Sequence, residues 1–307
     1  MTLARRAAVA ILVAAAVHAS AGARAGAGGW QSDMTMKRVI ASGADWTPRV
    51  IASRRLALDR VAEVCGSNNR TSSDRPRTYQ IDCSQRDVYQ FGVYTGYSMK
   101  AIASYLHSHQ VGFHNLVGFD SFNGLPSERP SAASTSGSPA RAYHARVAKG
   151  DYRAGLYSSS RFFGGEGGGD LASTLRQLEA HIGEPRVRWV PGFYNESLTP
   201  ALAASMRPAM LVDCDADLYS STWQSLGWML EHRLITAGTV LFYDDWKAGS
   251  NGGQALAHAE LVKKYKMRAR LIKPDHPNAK AVFEVMGVGE KDSARGVGDL
   301  WLKGSAF

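Results

Sequence analysis

The sequence predicts an α/β fold: a mostly parallel sheet with helices on both faces and one antiparallel edge strand. Three observations predict it. Short apolar segments such as Ala209–Val212 (AMLV) alternate with segments whose apolar residues recur at helical spacing. The strand–helix order repeats from Val88 to Tyr265, which implies strands buried under helices on both sides. Two further strands, Arg268–Ile272 and Ala281–Met286, follow each other directly, joined by a Pro-containing turn.

Residues 1–29 precede this pattern. Arg5 and Arg6 form a basic start, Ala7–Val17 is an apolar run, and Ala19-Ser20-Ala21 and Ala23-Arg24-Ala25 offer small-residue cleavage spacing. That is the layout of a secretory signal peptide, with an organelle transit peptide as the alternative. The apolar run is shorter than the roughly 20 residues a membrane span needs, so no stable span is expected in the mature chain. Residues 30–84 form an extension. Val50–Val64 has helical spacing, and Gly66–Arg77 is polar and reads as a loop.

Residues 85–290 hold the repeating domain. Val88–Val93 is a strand, Tyr97–Leu106 a helix and Leu116–Phe119 a strand. Residues 127–161, rich in Ser, Ala, Gly and Arg, read as an irregular insertion. Then come a helix over Leu171–His181, strands over Val187–Val190 and Ala209–Val212, a helix over Thr222–Leu234, a strand over Thr239–Tyr243 and a helix over Gly253–Tyr265. Residues 291–307 form a peripheral tail.

Hydrophobic residues make up 45% of the 307-residue chain, enough for a core of normal size. The formal charge of +9 is spread as a solvated surface, without a basic run interleaved with aromatics, so no nucleic-acid partner is expected. Three cysteines without a C-x-x-C argue against a thiolate zinc site. Cys65 and Cys83 either pair in an oxidising compartment or stay free; both readings remain open. Cys214, in an apolar strand, reads as a small buried hydrophobe.

Four motifs fall at the carboxyl ends of strands, where such sheets bind ligands. Gln90-Phe91-Gly92-Val93-Tyr94-Thr95-Gly96-Tyr97-Ser98 ends a strand and opens a helix with free N–H groups; it is not G-x-G-x-x-G. In Val117-Gly118-Phe119-Asp120-Ser121-Phe122, an acid ends the second strand, either to accept from ribose hydroxyls or only to cap a turn. Val212-Asp213-Cys214-Asp215-Ala216-Asp217-Leu218-Tyr219 carries three alternating carboxylates, whose repulsion calls for a positive partner. Phe242-Tyr243-Asp244-Asp245-Trp246 adds two acids on another strand end, so that Asp215, Asp244 and Asp245 can meet at one Mg²⁺, Ca²⁺ or Mn²⁺ ion. His107, His109, His114 and His144 lie near loops that border the site, and His144, inside the insertion, is the one to mutate first.

On QFGVYTGYSMKAIA, VGFDSFNGLP, VPGFYNESL, VDCDADLYSST and GTVLFYDDW, in this order over residues 85–290, the chain resembles the macrocin O-methyltransferase (TylF-type) family of class I methyltransferases. The resemblance implies a Rossmann-like fold and two cofactors, S-adenosylmethionine and Mg²⁺. Gly92, Gly96 and Ser98 would border the methionine part, Phe91 and Tyr94 would also bind the cofactor, Asp120 would hold the ribose, and Ser121 and Phe122 would flank the adenine. Asp215, Asp244 and Asp245 would hold Mg²⁺, with Asp215 also the catalytic base toward a hydroxyl of a small-molecule or sugar-like acceptor. A homodimer through the N-terminal segment is the weighed assembly.

The chain departs from the family in having Gln90 where an acid is usual, about two extra residues between Asp215 and Asp244, a leader, and the 127–161 insertion, expected to form a lid. Two other classes stay in view. Asp215-Ala216-Asp217 is a D-x-D, as in glycosyltransferases that use a nucleotide sugar, and the same fold also serves non-catalytic modules. The absence of G-x-G-x-x-G argues against an NAD-dependent oxidoreductase.

Overall fold

The computed structural model describes residues 45–66, 81–128, 143–165 (without 144, 146 and 151), 168–246, 253–272 and 280–289. The leader, His144 and the tail lie outside them.

The sheet has seven strands: β1 (Asp87–Phe91), β2 (Leu116–Asp120), β3 (Val187–Pro191), β4 (Ala209–Cys214), β5 (Val240–Tyr243), β6 (Arg268–Ile272) and β7 (Ala281–Gly287). Their order is β3-β2-β1-β4-β5-β7-β6. The first five are mutually parallel, and β7 runs against both β5 and β6. The expected antiparallel edge is therefore present, with β6 outermost and the reversed strand one place in.

Alternation along the strands splits the core in two. Val88, Leu211 and Val240 face helices α1 (Thr47–Gly66), α2 (Tyr97–Ser108) and α4 (Leu171–Ile182). Tyr89, Phe91, Val212, Leu241 and Tyr243 face the opposite layer, which includes α7 (Tyr219–Glu231) and α8 (Gly253–Tyr265). By the same alternation Asp213 and Phe242 point to the α1 side.

Several boundaries differ from the sequence reading. β1 stops at Phe91 rather than Val93, because Gly92 (φ 86°) and Tyr94 (φ 49°) leave the extended region. β4 continues to Cys214, carrying the buried Asp213 that the periodicity excluded. α7 opens at Tyr219, three residues early, with the Thr222 N–H on the Leu218 carbonyl. The stretch read as irregular ends in a helix, α3 (Ser159–Gly164), capped by Ser158 Oγ, which accepts from the Arg161 N–H at 3.3 Å. Two short helices, α5 (Tyr194–Ser197) and α6 (Pro200–Ala204), follow β3 and were not anticipated. Among the described residues no helix is long and apolar enough to cross a membrane.

Cys65, near the end of α1, is disulfide-bonded to Cys83, just ahead of β1, which closes the open choice; Cys214 is free and buried.

Candidate active site

The parallel register builds the site. Phe91 pairs with Phe119 and with Cys214, and Cys214 pairs with Tyr243. These four strand-end residues form one row, so the residues after them emerge side by side: Gly92, Asp120, Asp215 and Asp244. The row spans the point where the chain leaves β1 for β2 on one side and later returns to β4 on the other, the usual place for a ligand in an open α/β sheet.

A cavity of about 1150 Å³ opens there. Gly92, Tyr94, Asp120 and Ser121 line it, with Asp215, Asp217, Asp244 and Asp245 opposite and Tyr157, Phe193 and Tyr194 among the aromatic walls. Gly92 is required: a Cβ at its position would stand 2.0 Å from the Asp215 carbonyl oxygen. Tyr94 and Tyr157 adopt left-handed backbone (φ 49° and 59°), a conformation rare for bulky residues that concentrates at ligand sites.

Not every expected cofactor residue reaches this wall. Phe91 is buried, stacked on Phe119 at 4.5 Å, because strand alternation turns it into the core. Phe122 is also buried, edge-on to Trp189. Gly96 caps α2 and packs against Leu178 and Ile182, and Ser98 sits in the first turn of α2, outside the lining. Tyr194 is the residue the sequence reading left without a role. It lines the cavity, meets Phe91 edge-on at 5.6 Å and donates its hydroxyl to the Phe119 carbonyl.

Asp120 stands at the end of β2, where the sequence reading placed it. It lines the cavity, and it ties the loops. Oδ2 accepts from the Val93 and Tyr94 N–H groups at 2.7 and 3.2 Å, and Oδ1 accepts from the Phe122 N–H at 2.6 Å. Oδ1 keeps a lone pair for a further donor. Burial pushes the carboxyl up to about 6, against the lowering effect of the Val93 and Phe122 N–H groups. Nearby, Gln90 Oε1 is buried without a hydrogen-bond partner, while its Nε2 donates to the Gly92 carbonyl. A buried, unsatisfied acceptor beneath the glycine turn suits an incoming cationic donor such as an ammonium group.

Asp215, Asp244 and Asp245 each offer a carboxylate oxygen, all within 4.8 Å of one another. Hard oxygen donors in this number fit a divalent cation of the Mg²⁺ type. Burial raises Asp215 well above the ordinary carboxylate range, Asp244 raises it further, and Arg54 opposes both. Its side chain keeps 31% of its surface accessible, so solvent in the cavity moderates the rise. Gln254 holds the frame: Nε2 donates to the Cys214 carbonyl at 3.0 Å, and Oε1 accepts from the Asp245 N–H at 2.9 Å.

The positive partner that the three alternating acids demanded is Arg54, on α1. Its Nε lies 2.5 Å from Asp213 Oδ2, with Nη2 at 3.1 Å from Asp215 and Nη1 at 3.4 Å from Asp244. Lys280 adds a second cation, 3.1 Å from Asp244 Oδ2. His107 and His114 bond to Glu184 and Asp87, and His109 stacks on Tyr105. Asp87 opens β1, at the end away from the cavity, and none of the three histidines lines it.

No protein-family model and no curated protein matches the chain. Among solved structures it is similar to the O-methyltransferase NovP, with a TM-score of 0.51 at 18% identity over 75% of this chain and 79% of NovP. It is also similar to the calicheamicin methyltransferase CalS11, with a TM-score of 0.45 at 19% identity over 78% of this chain and 77% of that one. The likeness to NovP shows a shared fold, a Rossmann-like, mostly parallel sheet with helices on both faces.

Proposed function

We propose that this chain is an S-adenosylmethionine-dependent O-methyltransferase of the TylF type, acting with a divalent cation on a hydroxyl of a small-molecule or sugar-like acceptor. One observation carries the reading. A glycine turn, an acid on the neighbouring strand and a three-carboxylate cluster converge on one cavity, at the switch point of a methyltransferase fold.

Gln90 Oε1 and the Gly92 turn fit the methionine end of the cofactor, and the spare lone pair of Asp120 fits a ribose hydroxyl. S-adenosylmethionine supplies an electrophilic methyl when bound, and a divalent cation supplies Lewis acidity toward the acceptor hydroxyl. Asp215 accepts the hydroxyl proton. Its Oδ2 is held by Arg54, which fixes the carboxylate at the cavity wall. Tyr94, Tyr157 and Tyr194 fill the walls and exclude water from the reacting atoms.

The disulfide supports an oxidising compartment and so the secretory route for the leader, ahead of organelle import. The 127–161 segment serves as the acceptor lid, and the chain pairs as a homodimer through its N-terminal segment; both belong to the same proposal.

The test is calorimetric titration of the leader-free protein with S-adenosylmethionine, with and without Mg²⁺, beside Asp120→Ala. Micromolar binding that Asp120→Ala abolishes is expected. Absence of binding under both conditions sinks the reading and moves a D-x-D glycosyltransferase or a non-catalytic module to the front.

A further inference from the structure

Arg54 lies on α1, before the strand–helix order begins, and no motif marks it. Its guanidinium nevertheless reaches the ends of two strands. It touches Asp213 and Asp215 after β4's core residues and Asp244 after β5, and it lies 4.8 Å over the ring of Phe242. The side chain is 6% exposed. We propose that Arg54 is a positioning residue for the carboxylate cluster, holding Asp215 and Asp244 in the geometry that a divalent cation requires. The inference rests on the cation-binding part of the function proposed above.

The geometric argument is that a guanidinium is a rigid planar fork. Its donors bond two carboxylates, Asp213 and Asp215, in fixed directions and face a third, Asp244, at 3.4 Å, which the point charge of a lysine does not do. With Asp215 Oδ2 held by Arg54, and Asp244 facing Arg54 through Oδ1 and Lys280 through Oδ2, neither carboxylate rotates freely, and acids from two different strands are kept close. Asp213 completes the relay. It is 1% exposed on the α1 side of β4 and stands outside the cluster that could hold an ion; its part is to hold Arg54.

The charge argument concerns the described residues. Asp213, Asp215, Asp244 and Asp245 bring four negative charges, and Arg54 and Lys280 bring two positive ones. Without Arg54 the acids would repel one another across the cavity floor.

The test is Mn²⁺ binding, read by the loss of the free-ion electron paramagnetic resonance signal. It compares wild type, Arg54→Lys and the double variant Arg54→Met/Asp213→Asn. The double variant removes one positive and one negative charge, so the net charge facing the ion is unchanged and the comparison reads positioning alone. Replacing both members of a buried ion pair spares the fold the cost of one uncompensated charge. The expected result is an unfolding midpoint close to wild type and Mn²⁺ affinity about 10- to 100-fold weaker, the usual effect of losing a partner that orients metal ligands. Arg54→Lys falls between, and carries the comparison if the double variant does not fold. Unchanged or tighter Mn²⁺ binding in a folded variant overturns the proposal, as does a wild type that takes up no Mn²⁺. Failure to bind S-adenosylmethionine would strike the methyltransferase reading separately, leaving the Mn²⁺ comparison standing.

Discussion

Asp120 shows how one side chain couples stability, loop geometry and ligand binding. Burial lifts it from the ordinary 3.8 to about 6. A carboxyl raised in the folded state holds its proton to higher pH than in the unfolded chain. Its contribution is therefore fully present below about pH 4 and is lost as pH rises through 6, a loss of about 3 kcal/mol. Chemical denaturation between pH 4 and 7 should show this slope, and Asp120→Asn should flatten it. Affinity for S-adenosylmethionine should move the other way, rising between pH 5 and 7 as the carboxylate becomes a full acceptor; a flat titration would remove Asp120 from the ribose role. Asp215→Asn should lower kcat by about 10²- to 10⁴-fold, the range for a general base, measured as S-adenosylhomocysteine release. The acids at these positions were legible because each interrupts an apolar run at a strand end. Gln254 and Tyr194 were not, because a buried polar tie and an aromatic wall leave no periodic signal.

At the scale of elements, α1 is the part whose importance the sequence understated. It lies across the sheet on two ion pairs, Arg54 with Asp213 and Arg60 with Glu284, the latter buried on β7. The Cys65–Cys83 bond then ties its end to the start of β1. Closing a loop of 18 residues is worth about 3 kcal/mol in the chain-entropy account. Reduction, or Cys65→Ser with Cys83→Ser, should lower the unfolding free energy by about that amount. An unchanged midpoint would mean that the ion pairs and the buried Ala57, Leu58, Val61 and Val64 hold α1 without the bond. The turn after β1 makes a sharper demand. Gly92→Ala should cost several kcal/mol or abolish S-adenosylmethionine binding, because the added carbon cannot coexist with the Asp215 carbonyl 2.0 Å away. Strand existence and helix type were legible from periodicity. The ends were not, since residues such as Tyr94 take left-handed backbone for reasons that lie in the cavity.

For the whole molecule, the sign of the cavity opposes that of the chain. The chain carries +9, yet eight carboxylates and, among the described residues, no lysine, arginine or histidine line the cavity. Apart from a cation on the carboxylates a diphosphate would meet no counter-charge there, so a nucleoside diphosphate in Mg²⁺ should bind far more weakly than S-adenosylmethionine. Tight binding would favour the D-x-D glycosyltransferase. Chelation of divalent ions should abolish turnover, and Mg²⁺ should restore it; turnover that survives chelation would confine the cluster to a structural role.

The sequence alone determined the α/β order, the strand-end position of Asp120, Asp215, Asp244 and Asp245 and the grouping of the last three, because hydrophobic periodicity and strand ends are local patterns. It left open whether Cys65 meets Cys83, and it gave no sign that Arg54 enters the site. Those were decided by the tertiary structure. Arg54 and Asp213 stand 159 residues apart, and their attraction depends on distance and burial, which a linear pattern does not encode.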